Sequence, residues 1–219
     1  MAPFSFELIR VNHSVVDGMG LAIDTPEGLV IHTGDFKLSE TTIDGMATDV
    51  DAFTRHGDQG VLALLSDSTN VERDGWTPSD QNVTQTLEDL IANSGGRVIV
   101  ALFASNVARI QQIVNIIKTG NRKIIFNGRS IELSVRVAKQ LNLLKIPEDM
   151  EIGIDQIDDY PDEEIIILTT GSQGEPMSAL TRMSAGMHKQ IRIEPGDTVV
   201  LSSKFIPGNE KAIAKIINN

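Results

Sequence analysis

The sequence predicts an α/β protein in two parts. Three observations point to this. The first 67 residues are rich in strand-like stretches, the region after Trp76 alternates strands with helices, and each strand of that later region ends in small polar residues. Alternation of this kind implies a mostly parallel sheet covered by helices on both faces. The parts divide near Trp76, as 1–77 and 78–219.

The elements follow in order. SFELIRV (5–11) alternates with the period of a strand. LAID and LVIH flank TPEG (25–28), where Pro26 and Gly28 suit a turn, so the segment reads as a hairpin. VLALLSD (61–67) is a continuous apolar run and reads as a buried strand. Pro78 and Ser79 open a helix with Val83, Leu87, Leu90 and Ile91 on one face, closed by Gly95 and Gly96. RVIVALF (97–103) is a strand, and Val107 to Lys118 is a helix with Ile110, Ile113, Val114 and Ile117 inward. KIIFNG (123–128) is a strand followed by a helix to about Leu144. The acidic stretch from Glu148 to Glu164 reads as a solvated loop with a short strand. EIIILTTG (164–171) and DTVVLSS (197–203) are two more strands, and a helix begins in NEKAIAKIINN (209–219).

Composition narrows the function. With 41% hydrophobic residues in 219, a packed core is within reach and disorder is disfavoured. No apolar run approaches the roughly 20 residues that cross a bilayer, and no secretory leader pattern is visible. The absence of cysteine excludes disulfides and thiolate metal sites, and fits a cytoplasmic setting without requiring one. A net charge of −11 argues against a broad electrostatic grip on nucleic acid. Any such binding must be local.

Two sets of residues could carry chemistry. The strand ends FASN (103–106), NGRS (127–130), TGSQGEP (170–176) and SSKF (202–205) offer hydroxyls and backbone N–H groups where parallel sheets bind ligands. The same residue types serve as ordinary helix caps. The second set is His13, just past the first strand, with Asp35 and Asp67, each ending an apolar strand. A metal site built from loops at one rim needs such residues, but strand-end aspartates are also common turn residues. Of the other histidines, His32 lies within a strand and reads as structural, while His56 and His188 read as solvated.

Five blocks, VNHSVVDGMGLAIDTPEGLVIHTGDFK, LLSDSTNVERDGWTPSD, LFASNVARIQQI, FNGRS and TTGSQGEPMSALTRM, together resemble the ribonuclease J family. These are β-CASP members of the metallo-β-lactamase superfamily. The resemblance implies the distal part of a metallo-β-lactamase-like αββα domain (1–77), joined to a Rossmann-like β-CASP domain (78–219) that is incomplete at its carboxyl-terminal end. It implies that His13 is a metal ligand, that Asp35 in TGDFK bridges two metals, and that Asp67 in SDSTN is the acidic residue entering the β-CASP domain, supporting catalysis without holding metal directly. Gly34 would permit the sharp exit that presents Asp35. The implied cofactor is a pair of divalent ions, zinc or alternatively manganese or magnesium, which activate a water for in-line attack at phosphorus. The implied substrate is single-stranded RNA, cut by 5′-to-3′ exonuclease or endonuclease action, with Ser105, Asn106, Arg109, Arg129 and Ser172 gripping it. Arg109 reads equally well as a solvated helix-face residue. A cytoplasmic homodimer or homotetramer is implied for the intact enzyme.

The chain departs from the family pattern in one respect. The HxHxDH motif, which supplies most of the metal ligands, is missing, and so are the late histidine blocks. The expectation is an internal segment whose metal binding is weak or absent, which is inactive alone, and which exposes sheet edges open to a second copy. A non-catalytic, Rossmann-like phosphate- or nucleotide-binding module is the competing reading. A small-molecule hydrolase of the same superfamily fits less well, because β-CASP-like blocks accompany nucleic-acid substrates.

Overall fold

The computed structural model describes residues 4–38, 46–72, 74–75 and 80–219. Pro78 and Ser79, read above as a helix start, lie outside them. The chain forms two compact units that divide between Val83 and Thr84.

In the first unit, strands β1 (Ser5–Arg10), β2 (Met19–Thr25), β3 (Gly28–His32) and β4 (Ala63–Leu65) form one sheet in the order β1-β2-β3-β4. The first three are antiparallel neighbours, and β4 runs parallel to β3. Thr25 pairs with Gly28 across the hairpin, and the Thr25 hydroxyl accepts the Gly28 N–H. Helix α1 (Val50–Gln59), capped by the Asp49 carboxylate on the Ala52 N–H, covers one face. There Ile9, Ala22, Ile31 and Ala52 form a small buried core. Glu7 fastens the helix to β1, taking Arg55 at 2.6 Å and His56 at 3.1 Å. With a side-chain period of two, Phe6 and Leu8 turn to the other face, where they are 72% and 59% exposed.

Four strands, β5 (Val98–Ala101), β6 (Lys123–Asn127), β7 (Ile165–Thr169) and β8 (Thr198–Leu201), build the second unit's sheet. It is wholly parallel, in the order β6-β7-β5-β8. Every residue of the two central strands is buried. Ile99, Ala101, Ile165 and Ile167 pack against α5 (Ala179–Ser184) and α6 (Glu210–Asn218) through Leu180, Met183 and Ile216. Val98, Val100, Ile166 and Leu168 alternate to the opposite face and are equally buried. That leaves α2 (Asp80–Asn93), α3 (Val107–Ile117) and α4 (Arg129–Gln140) to cover them with the stripes containing Leu87, Ile110, Ile113 and Ile131.

Several sequence expectations need correction. The run 61–67 is not a buried strand: β4 is a three-residue edge on which Leu64 and Leu65 are exposed, because nothing among the described residues packs over it. The β-rich reading of 5–67 missed α1, whose Gly57 and sparse apolar residues hide its helical period. Leu90 is exposed, so the inward face of α2 rests on Leu87 and Ile91. The stretch 148–164 is not simply a solvated loop. It forms two short 3₁₀ turns, and Ile152, Ile154, Ile157 and Tyr160 pack against the core. No described helix is long and apolar enough to cross a membrane.

Candidate functional site: two strand-end rims

In the first unit β1, β3 and β4 all point the same way, since β1 and β3 are both antiparallel to β2. His13, Asp35 and Asp67 therefore leave the sheet at one end. Hydrogen bonds draw the exits together. Asn12 C=O accepts the Lys37 N–H at 2.8 Å, and the Thr33 hydroxyl accepts the Asp67 N–H at 3.0 Å. Gly34 makes the turn before Asp35 with φ +62°, a left-handed conformation that side chains other than glycine rarely adopt. His13 Nε2 lies 3.9 Å from Asp35 Oδ2, with Asp35 exposed and His13 half-buried. Asp67 Oδ1 accepts both the hydroxyl and the backbone N–H of Thr69, and these bonds hold its carboxyl below the usual aspartate range. Nearby His13 adds a smaller effect in the same direction.

Family chemistry would place divalent ions here. A zinc site takes three or four protein ligands. His13 and Asp35 offer two donors, and among the described residues no group of three histidines or carboxylates converges. The described residues alone do not fit a two-metal centre.

The other three histidines all make structural contacts, as expected of His32 but not of His56 and His188. His32 is exposed, and its Nδ1 accepts the Gly34 N–H at 3.0 Å. His56 is buried against Glu7, because α1 lies on the sheet. His188 is also buried, and its Nδ1 accepts the N–H groups of Gln190 and Ile191. Burial and the neighbouring Arg182 push its pKa down.

In the second unit the parallel order puts all four strand-end turns on one rim. The Thr169 hydroxyl donates to Asn127 C=O, Leu102 N–H to Thr169 C=O, and Ser202 N–H to Ala101 C=O. Those bonds align the ends of β6, β7, β5 and β8 side by side. Ser105 is exposed there. Asn106 caps α3, accepting the Arg109 N–H at 3.0 Å, so the plain capping role holds at that position. The Arg109 side chain is half-buried and donates to Gln112 at 2.6 Å, so it is not a solvated face residue. Arg129 is exposed at the start of α4. Ser172 is 1% exposed, and its buried hydroxyl has no hydrogen-bond partner among the described residues.

Sequence reasoning missed Gln173. Its buried amide uses Nε2 to reach Ser203 Oγ at 2.8 Å and Lys204 C=O at 2.9 Å. Its Oε1 takes the Ile206 N–H at 2.9 Å and the Asn209 amide at 3.3 Å. Since β5 lies between β7 and β8, this side chain spans the end of β5 and fixes the loop after β8. The only signal in the sequence was its place in a glycine-bounded turn. Gly174 follows with φ +76°, and a Cβ there would come within 2.6 Å of the α6 backbone at Ala212.

A mixed sheet with an acidic rim, followed by a parallel β-CASP sheet with a hydroxyl-lined rim, is the architecture of a β-CASP protein of the metallo-β-lactamase superfamily. Residues 95–219, more than half of the chain, match the family described as "Ribonuclease J, beta-CASP domain". The chain belongs to this ribonuclease J family. It is 46% identical over 216 residues to ribonuclease J of Corynebacterium glutamicum, spanning 99% of this chain and 30% of that protein. It is 42% identical over 215 residues to ribonuclease J of Helicobacter pylori strain 26695, spanning 98% and 31%. For the ribonuclease J of Thermus thermophilus the identity is 43% over 215 residues, spanning 98% and 37%. The chain thus spans about a third of the length of these relatives. A crystal structure of a protein of unknown function from Enterococcus faecalis V583 shares the fold, with a TM-score of 0.57 at 14% identity, covering 99% of this chain and 57% of that one.

Proposed function

We propose that this chain is a segment of a metal-dependent ribonuclease that hydrolyses phosphodiesters of single-stranded RNA by 5′-to-3′ exonuclease or endonuclease action. The observation that carries the proposal is the match of 95–219 to the ribonuclease J β-CASP family, supported by 42–46% identity to ribonuclease J proteins along the whole chain. In this reading the rim of the second unit grips the RNA backbone through Ser105, Asn106, Arg109, Arg129 and Ser172. A phosphate reaching Ser172 would supply the partner its hydroxyl lacks, after a shift of the turn that buries it. Arg129 adds an exposed cation beside the start of α4, where backbone N–H groups favour anions.

His13 and Asp35 would serve as metal ligands and Asp67 as a catalytic partner in the intact, cytoplasmic, homo-oligomeric enzyme. With two donors converging, the 219 residues alone are catalytically silent.

Incubation of the pure chain with 5′-phosphorylated single-stranded RNA and zinc, manganese or magnesium tests this. The expected result is RNA binding without cleavage. Cleavage that disappears in an Asp35→Ala variant would overturn the silent-segment reading, and no binding even at low salt would overturn the rim assignment.

A further inference from the structure

The second unit has four aromatic residues apart from histidine: Phe103, Phe126, Tyr160 and Phe205. The first three are half-buried, while Phe205 is 49% exposed. It sits in the loop after β8, on the hydroxyl-lined rim. An exposed aromatic on a loose loop would mean little, but this loop is held. The Gln173 amide bonds Lys204 C=O on one side of Phe205 and the Ile206 N–H on the other. Two further bonds, to Ser203 Oγ and Asn209, extend the hold. Little rotational freedom of the backbone at 205 remains to be lost on binding. The loop also follows directly on Ser202, whose N–H is bonded to the end of β5, so it leaves the sheet on the same rim as the turn that carries Ser105 and Asn106.

An aromatic face flanked by hydroxyls and amides matches a nucleotide, which presents a flat base on a polar backbone. Beside the ring Ile206 is also exposed, while Ser203, Lys204 and Asn209 around the pair are polar and hydrogen-bonded to Gln173. Resting on the proposed RNA-binding rim, we propose that Phe205 is a base-stacking residue, held in place by Gln173, for one nucleotide of the single strand. Stacking accepts any base, so the contact would add affinity without sequence preference.

The test is fluorescence anisotropy of the full chain with a short 5′-phosphorylated single-stranded RNA, repeated with RNAs carrying one abasic nucleotide at successive positions. Phe205→Ala should weaken binding roughly five- to a hundredfold, as expected for loss of one stacked base. Phe205→Trp should restore it, and Phe205→Leu, apolar but not flat, should not. At one position the abasic RNA should bind wild type and Phe205→Ala equally. Unaltered thermal melting of the variants separates these effects from misfolding. If the wild-type chain binds RNA and Phe205→Ala binds it equally well, the stacking role is wrong and the rim stands. If the wild-type chain binds no RNA, both fall. If Phe205→Ala alters the sedimenting mass and leaves RNA affinity unchanged, the ring belongs to a protein contact and the proposal is overturned.

Discussion

Removing Asp197 should destabilise the second unit far more than loss of a surface charge would. Its carboxylate is 2% exposed and faces Arg97, itself 11% exposed. The pair is bidentate, with Arg97 Nε to Oδ1 at 2.9 Å and Nη2 to Oδ2 at 2.7 Å. Arg97 also donates to Arg192 C=O, and Asp197 accepts the Glu194 N–H. These bonds tie the start of β5 to the start of β8, where Thr198 N–H meets Arg97 C=O at 2.8 Å. Asp197→Ala would leave a largely buried guanidinium with only the exposed Asp162 carboxylate, 4.0 Å from its Nε, and the Glu194 N–H without its acceptor. Breaking a buried pair by removing one partner costs about 3–5 kcal/mol. Because each kcal/mol shifts the melting temperature of a unit this size by about 3–5 °C, Tm should fall by about 10–20 °C. Calorimetry of the chain at neutral pH reads this directly. Replacing both partners together, as Arg97→Met with Asp197→Leu, should recover much of the loss, because no buried charge is then left unpaired and Asp162 is exposed to solvent. If Asp197→Ala melts within about 2 °C of wild type, water or a rearranged neighbour satisfies Arg97 and the burial argument is refuted.

Two other outcomes follow from single residues. His188 has its pKa lowered from 6.5 by burial and Arg182, so below that pH the unfolded chain binds a proton that the folded chain resists. Stability should be full above pH 6.5 and decline as pH falls below it, and His188→Asn should flatten that decline in urea titrations. Identical slopes for the two proteins would remove His188 as the cause. Gly174→Ala should destabilise the second unit by roughly 2–4 kcal/mol, because it combines a positive φ with a clash against the α6 backbone. A denaturation midpoint equal to that of wild type would show that the turn can move.

The sequence exposed the parallel sheet because its strands are short apolar runs and its helices carry regular stripes, as at Ile110, Ile113 and Ile117. TPEG marked the hairpin through turn chemistry alone. What escaped depended on neighbours distant in the chain. The run 61–67 has the composition of a core strand, yet whether it is buried depends on what lies over it. His56 became buried because Glu7, far off in sequence, binds it. His188 and Gln173 look like any polar residue until the fold places backbone groups around them. At the acidic rim, the strand directions and Thr33 explain why residues 13, 35 and 67 leave the sheet at one end, which spacing could not show.

The Gln173 amide has one more consequence, for chemical ageing. It uses both N–H bonds and both directions of its oxygen, so its hydrogen-bonding capacity is full. Hydrolysis to glutamate would turn the two donors into an acceptor facing the Lys204 carbonyl and the Ser203 hydroxyl. At Lys204 attraction would become repulsion, and the loop after β8 would come free while the helices and central strands stayed intact. A stored sample would therefore lose the order of its rim and melt lower, because a buried carboxylate would face a carbonyl. A rise in acidic isoforms, not a change in fold content, would be the sign of it.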